Sequence, residues 1–240
     1  MESLKITNQT DRLVDPDRKV LYKVSGMSAI ILVISYIIII VLYVFSGVPP
    51  TGSEEWLRHI TGHTAEWWSI LGLSVFTDLL FIPVAYSLYM MLKEVNKNAM
   101  LAGLGFLILF VFLDLAITWP NYSSLITLSS KYAAATNDSQ RETIIAAADY
   151  ASAVLSSSLI GVYVILVPAI GILIISLVML KGTFSKATAY LGVVTGILGV
   201  ISVAGPFFIS ALDIIVVITS ILTTVWFLFV GYRLLRLSQL

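Results

Sequence analysis

"VSGMSAIILVISYIIIIVLYVF" occupies positions 24–45 and carries no charged residue. A bilayer core of ~30 Å takes about 20 apolar residues as one helix, so this run can cross it. It is too long for the apolar core of a signal peptide, and no small-x-small cleavage pattern follows it. It therefore reads as an uncleaved first span over 24–46. Residues 1–23 ahead of it are polar and mixed in charge, and form a tail. Working outward, five more runs are long and apolar enough: 67–92, 99–119, 152–180, 187–207 and 211–232. A helix satisfies its own backbone hydrogen bonds in lipid. The expected fold is thus all-α, a polytopic transmembrane bundle of six spans over residues 24–237. Gly205-Pro206 divides the last two runs into a tight hairpin, because proline cannot continue a helix ladder.

Composition supports this reading and narrows the function. Only 12% of the 240 residues are charged and 58% are hydrophobic, where a soluble domain carries roughly 25% charged residues. Membrane lipid is therefore the first partner. The absence of cysteine removes disulfides, thiolate metal sites, haem attachment and thiol nucleophiles. A net charge of zero argues against nucleic acid. There is no glycine-rich phosphate loop, and nothing in the chain asks for a cofactor.

Lysine and arginine set the orientation. With the N-terminus inside, the inner segments hold Lys5, Arg12, Arg18, Lys19, Lys23, Lys93, Lys97, Lys181, Lys186, Arg233 and Arg236. Only Arg58, Lys131 and Arg141 of the 14 basic residues then lie outside. Both termini are expected in the cytoplasm of a cell membrane. Trp56, Trp67, Trp68, Trp119 and Tyr122 mark the outer interface. Two outer connections look structured. Thr51-Gly-Ser-Glu54 fits a capping box for a short interfacial helix that ends near Gly62, and Thr64 is placed to cap the second span. Ser139-Gln-Arg-Glu142 fits another box, with no helix breaker before Gly161. The fourth span is therefore expected to begin near residue 140 and protrude, at ~60 Å about twice the hydrocarbon thickness. Pro83 falls inside the second span and Pro120 is expected to end the third.

Three aspartates interrupt the apolar runs: Asp78 in "VFTDLLFIPVAY" (75–86), Asp114 in "VFLDLAITWPNY" (111–122) and Asp213 in "SALDIIVV" (210–217). A mid-helix aspartate costs about 2.5–3.5 kcal/mol to insert, which is tolerated when it faces protein or a wet cavity. At ~1.5 Å per residue, Asp78 lies near mid-membrane, with Asp114 and Asp213 closer to the outer surface. Hydroxyls accompany them. Ser74 is one turn from Asp78, and Thr118 is one turn from Asp114. Asp213, Ser220, Thr224 and Gly231 form a stripe. Ser152, Ser156, Ser157, Ser158 and Tyr163 lie in the outer part of span four. We expect an outward-facing polar cavity with Asp78, Asp114, Asp213, Ser74, Thr118, Ser157, Tyr163 and Ser220 as its ligand-binding residues. The plainer alternative is that each carboxyl accepts bonds from neighbouring hydroxyls and locks helices together.

His59 and His63 stand at i, i+4, and Glu66 could supply a third metal ligand. Gly62 interrupts the helix, and the glutamate of a zincin motif is missing between the histidines. Gly192-x-x-x-Gly196 permits close helix approach, within the bundle or between copies. Pro168 and Gly171 could bend span four. Asn121-Tyr-Ser and Asn137-Asp-Ser fit glycosylation acceptors.

The segment "VMLKGTFSKATAYLGVVTGILGVIS" (178–202), the closing "VWFLFVGYRLL" (225–235) and "YSLYMMLKEVNK" (86–97) resemble a prokaryotic family of six-helix membrane proteins. That family is known only as a domain of unknown function. In it a basic loop ends span four, and a leucine-glycine pair, here Leu191-Gly192, opens span five. The resemblance implies six helices and a bacterial or archaeal membrane, and brings no activity or catalytic residue with it. The residues themselves point first to an integral membrane protein that binds or moves a small solute, ion or lipid. A non-catalytic sensor or assembly partner, self-associating or with another membrane protein, is a second reading. A metal-dependent intramembrane hydrolase is a third.

Overall fold

The computed structural model describes residues 16–47, 49–182, 184–209 and 215–239. Ten α-helices are described: α1 (Pro16–Ser46), α2 (Ser53–Thr61), α3 (Thr64–Leu92), α4 (Lys97–Leu113), α5 (Trp119–Ala134), α6 (Asp138–Leu155), α7 (Ser158–Gly161), α8 (Val167–Met179), α9 (Lys186–Ala204) and α10 (Ile215–Ser238). Wide π-turns at Asp114–Thr118 and Val162–Leu166 join α4 to α5 and α7 to α8. A 3₁₀ turn at Gly205–Phe207 makes the expected break after span five. Six stretches are long and apolar enough to cross a membrane: 18–46, 64–92, 97–134, 158–179, 186–204 and 215–238.

The six spans close into a ring. α1 packs on α3, α3 on α4, α4 on α8, α8 on α9, α9 on α10, and α10 back on α1. Between helices in lipid the hydrophobic effect is weak, so close van der Waals approach holds them together. Small residues allow that approach. A Cβ placed on Gly103 of α4 would come within 2.6 Å of Ile175, and one on Gly171 of α8 within 3.1 Å of the Gly103 carbonyl. Gly192 and Gly196 of α9 are covered by Ser176 and Leu173 of α8, so the small-residue face packs inside the bundle. Six spans bring the end of α10 to the face where α1 starts. The opposite face carries a cap of α2, α5 and α6, with its own buried cluster including Trp56, Leu57, Ile60, Trp67, Leu125 and Ile126.

Several local expectations are corrected. The α2 N-cap is Gly52 rather than Thr51, and Glu55 reaches back to its N–H at 3.3 Å. His63 rather than Thr64 caps α3, and the Thr64 hydroxyl donates to the Ile60 carbonyl at 3.1 Å. Asn137 rather than Ser139 caps α6, accepting from the Gln140 N–H at 2.9 Å. Span four is not one protruding helix. Its chain breaks at Ser156–Ser157, where Ser157 is extended (φ −72°, ψ 143°) and its hydroxyl accepts from Leu159 N–H. Ser156 donates instead to the Thr51 carbonyl at 3.2 Å, tying the break to the cap. Span three does not end at Pro120, because helix continues to Ala134. Pro120 falls in the first turn of α5 directly after the π-turn, where the hydrogen-bond register changes.

Candidate functional site

Asp78 of α3 and Asp114 at the head of the first π-turn are 2% and 4% exposed. They are near enough to interact electrostatically, and Tyr36 of α1 lies within electrostatic reach of both. The Trp119 indole N–H donates to Asp78 Oδ2 at 2.6 Å. The π-turn explains how it gets there. In a regular helix a residue five positions on is rotated by about 140°. Here the Trp119 N–H bonds to the Asp114 carbonyl, so the two residues stand one above the other. A single wide turn therefore brings Asp114, Thr118 and Trp119 toward one interior. Thr118 lies beside the Asp114 carboxyl, but Asp114 Oδ1 and Thr118 Oγ1 each lack a formed hydrogen bond.

Aromatic rings close the site toward the cap. Tyr122 stacks on Trp67 at 5.6 Å and 19°, and also touches Trp119 at 5.6 Å. Trp67 meets Tyr43 at 5.6 Å and Trp56 at 5.4 Å, both edge-on. The buried indole nitrogens of Trp56 and Trp67 have no hydrogen-bond partner.

A central cavity of about 290 Å³ lies inside the helix ring. Tyr36 and Tyr43 of α1, Phe81 of α3 and Phe110 of α4 line it on one side. Thr195 of α9 and Thr219, Ser220, Thr223 and Thr224 of α10 face them.

The sequence-predicted residues separate into groups. Asp78, Asp114 and Thr118 come together beside Tyr36. Ser220 lines the cavity; neither Asp78 nor Asp114 does. Ser74 is buried one turn from Asp78, away from the cavity wall. Ser157 and Tyr163 line a separate groove of about 430 Å³ with Ile117 and Tyr150. Asp213 lies outside the described residues. His59 and His63 have ring centroids 6.1 Å apart, and His63 Nδ1 is 3.9 Å from Glu66 Oε1. Among the described residues no three His, Asp or Glu side chains form a metal-ligand set. The sequence reading missed Trp119 as a carboxyl partner, and missed Tyr36, Tyr43 and Tyr122. Tyr36 and Tyr43 had a signal: they are the only tyrosines in the first span's isoleucine-rich half and stand at i, i+7 on one helix face.

A family described as a domain of unknown function, DUF4386, matches residues 25–235. The chain belongs to the DUF4386 family. The resemblance seen in residues 86–97, 178–202 and 225–235 therefore holds across the bundle. No curated protein and no solved structure matches the chain. This DUF4386 protein, with its six apolar helices, is a multi-pass integral membrane protein.

Proposed function

We propose that this DUF4386 protein binds a small ligand in its central cavity and couples binding to proton exchange at the Asp78–Asp114 pair. In this reading the cap is outside the cell and both termini are cytoplasmic, as the basic residues favour. One observation carries the proposal: Tyr36 lines the cavity and also lies within electrostatic reach of both carboxyls. A ligand that displaces the Tyr36 ring would change the surroundings of the pair. Two neighbouring carboxylates in a low-dielectric interior repel, and a proton taken up by one relieves that repulsion. Intramembrane acids on facing helices serve as proton relays in pumps and transporters.

The test is a thermal-shift screen of small solutes on the purified protein at two pH values, repeated with Asp78→Asn and Asp114→Asn. The expected result is ligands whose stabilisation depends on pH in the parent and not in either variant. Infrared difference spectra should show a carboxylic C=O band that disappears in Asp78→Asn or Asp114→Asn. Ligands with equal stabilisation at both pH values, and in all three proteins, would refute the coupling.

A further inference from the structure

The cavity wall also indicates what kind of ligand it takes and how the ligand arrives. Resting on the reading of this cavity as the ligand site, we infer that it receives an uncharged lipophile with one hydroxyl or carbonyl head, admitted sideways from the bilayer between α1 and α10.

The argument begins with how those two helices pack. Near the chain termini they are pressed together: a Cβ on Gly231 of α10 would lie 2.9 Å from the Ala29 side chain and 3.2 Å from the Gly26 carbonyl of α1. Toward the cap the cavity opens between the same two helices. Ile40 of α1 is 42% exposed and Ser220 of α10 is also exposed, yet both line the cavity. Both belong to apolar spans, so the surface they present outward meets lipid. The opening thus faces the hydrocarbon rather than an aqueous mouth.

The chemistry of the wall selects the ligand. Among the described residues, no lysine, arginine or histidine lines the cavity. Asp78 and Asp114 lie within electrostatic reach of Tyr36 in that wall. An anionic head would have no counter-charge and would meet repulsion, which excludes phosphate and carboxylate heads. Ile39, Phe81, Phe110, Val164, Ile165 and Ile172 suit a chain. Hydroxyls gather on α10, and Thr219 is 6% exposed with a hydroxyl that has no partner. Its neighbours Ser220 and Thr224 bond to carbonyls of their own helix, Val216 and Ser220, at 2.9 Å each. Thr219 is therefore a buried wall hydroxyl free to bind a head group. A volume of about 290 Å³ holds roughly ten water-sized groups at ~30 Å³ each, the size of a medium-chain alcohol.

The probe is 1-octanol carrying a diazirine in its chain, photolysed with the full-length protein in zwitterionic nanodiscs and mapped by mass spectrometry. Adducts are expected on residues 36–43 of α1 and 219–224 of α10. Unlabelled 1-octanol should compete about fivefold better than octane, the advantage of one hydrogen bond, and octanoate should compete least. Thr219→Val removes the hydroxyl and keeps the shape, and should erase that advantage without changing octane. Ser220→Trp blocks the opening at an exposed position and should suppress labelling while leaving the melting temperature in place. Adducts spread evenly over the lipid-facing sides of all six spans, octanoate competing as well as octanol, or unchanged selectivity in Thr219→Val would each overturn the inference. If that happens while pH-linked binding and the carboxyl infrared band survive, the ligand class is wrong and the proton coupling stands. The reverse pattern, with octanol selectivity intact and Asp78→Asn silent, refutes the coupling alone.

Discussion

Trp119→Phe is the sharpest test of the site's architecture. It removes one N–H and keeps an aromatic ring against Tyr122. The lost bond is 2.6 Å long, and the Asp78 carboxyl that accepts it is 2% exposed. Leaving a buried polar group without its partner costs ~1–3 kcal/mol. Phenylalanine keeps part of the ring contact at 5.6 Å, which is worth ~0.5–1.5 kcal/mol in full. The expected loss is thus about 1.5–3 kcal/mol, or roughly a 10- to 150-fold fall in the folding equilibrium constant. The assay is unfolding in mixed micelles by rising SDS fraction, followed by circular dichroism. Asp78→Leu completes a double-mutant cycle, because replacing both partners by apolar groups removes the unsatisfied atom as well as the bond. The double variant should be more stable than the sum of its parents predicts by about 1 kcal/mol or more. A coupling within about 0.5 kcal/mol of zero would mean that the indole and the carboxyl do not act as a pair.

Gly192→Ala should cost about 1–3 kcal/mol by overpacking, since the added Cβ meets Ser176 and Trp226; Gly72→Ala, with nothing within 4 Å, should be neutral or stabilising. The same SDS titration reads both, and equal effects would refute the close approach of α8 and α9. Acid should loosen the cap. Burial, followed by the charge of His63, holds His59 below its ordinary 6.5. The unfolded chain then binds more protons than the folded one, and stability present above pH 6.5 is lost as pH falls below it. Glu54 is held below 4.5, first by the Tyr132 hydroxyl and then by Arg58, so its contribution too is lost on acidification, as pH falls through its lowered folded value. Melting temperatures against pH should therefore fall less steeply below 6.5 in His59→Gln, and an unchanged slope would remove this account. Because the chain has no cysteine, single Glu142→Cys and Lys186→Cys variants report orientation cleanly. An impermeant maleimide on intact cells should label the first and not the second, and the opposite pattern would invert the bundle.

Much of the architecture was legible in local sequence. Each span shows in its own 20 or so residues, because hydropathy is a property of the segment and the cost of exposing backbone in lipid leaves helix as the only single-segment solution. Gly205-Pro206 marked a break for an equally local reason. The capping positions were each misplaced by one or two residues. Gly52 and Asn137 stand beside neighbours of similar capping ability, while His63 takes its position without a side-chain cap bond because the Thr64 hydroxyl bonds back to Ile60. Pro120 was misread because a membrane helix can accommodate proline, as α3 does at Pro83, and here a wide turn precedes it. The pattern of residues around 114–118 gives no sign that this turn is wide. Ser156–Ser157 failed in the other direction: serine is tolerable in a helix, and the break is supported by the distant Thr51 carbonyl.

What the sequence determined alone was the number of spans, the apolar core of each, and the burial of two of the three aspartates, since the energy of placing charge in hydrocarbon depends on position along one helix. Tertiary structure alone decided what those carboxyls face. Asp78 meets Trp119 only because one wide turn rotates α5, and Tyr36 reaches both acids only because α1 lies against α3 in a closed ring. Such contacts depend on the azimuth of separate helices about their axes, and no single helix's residues encode how its neighbours are turned.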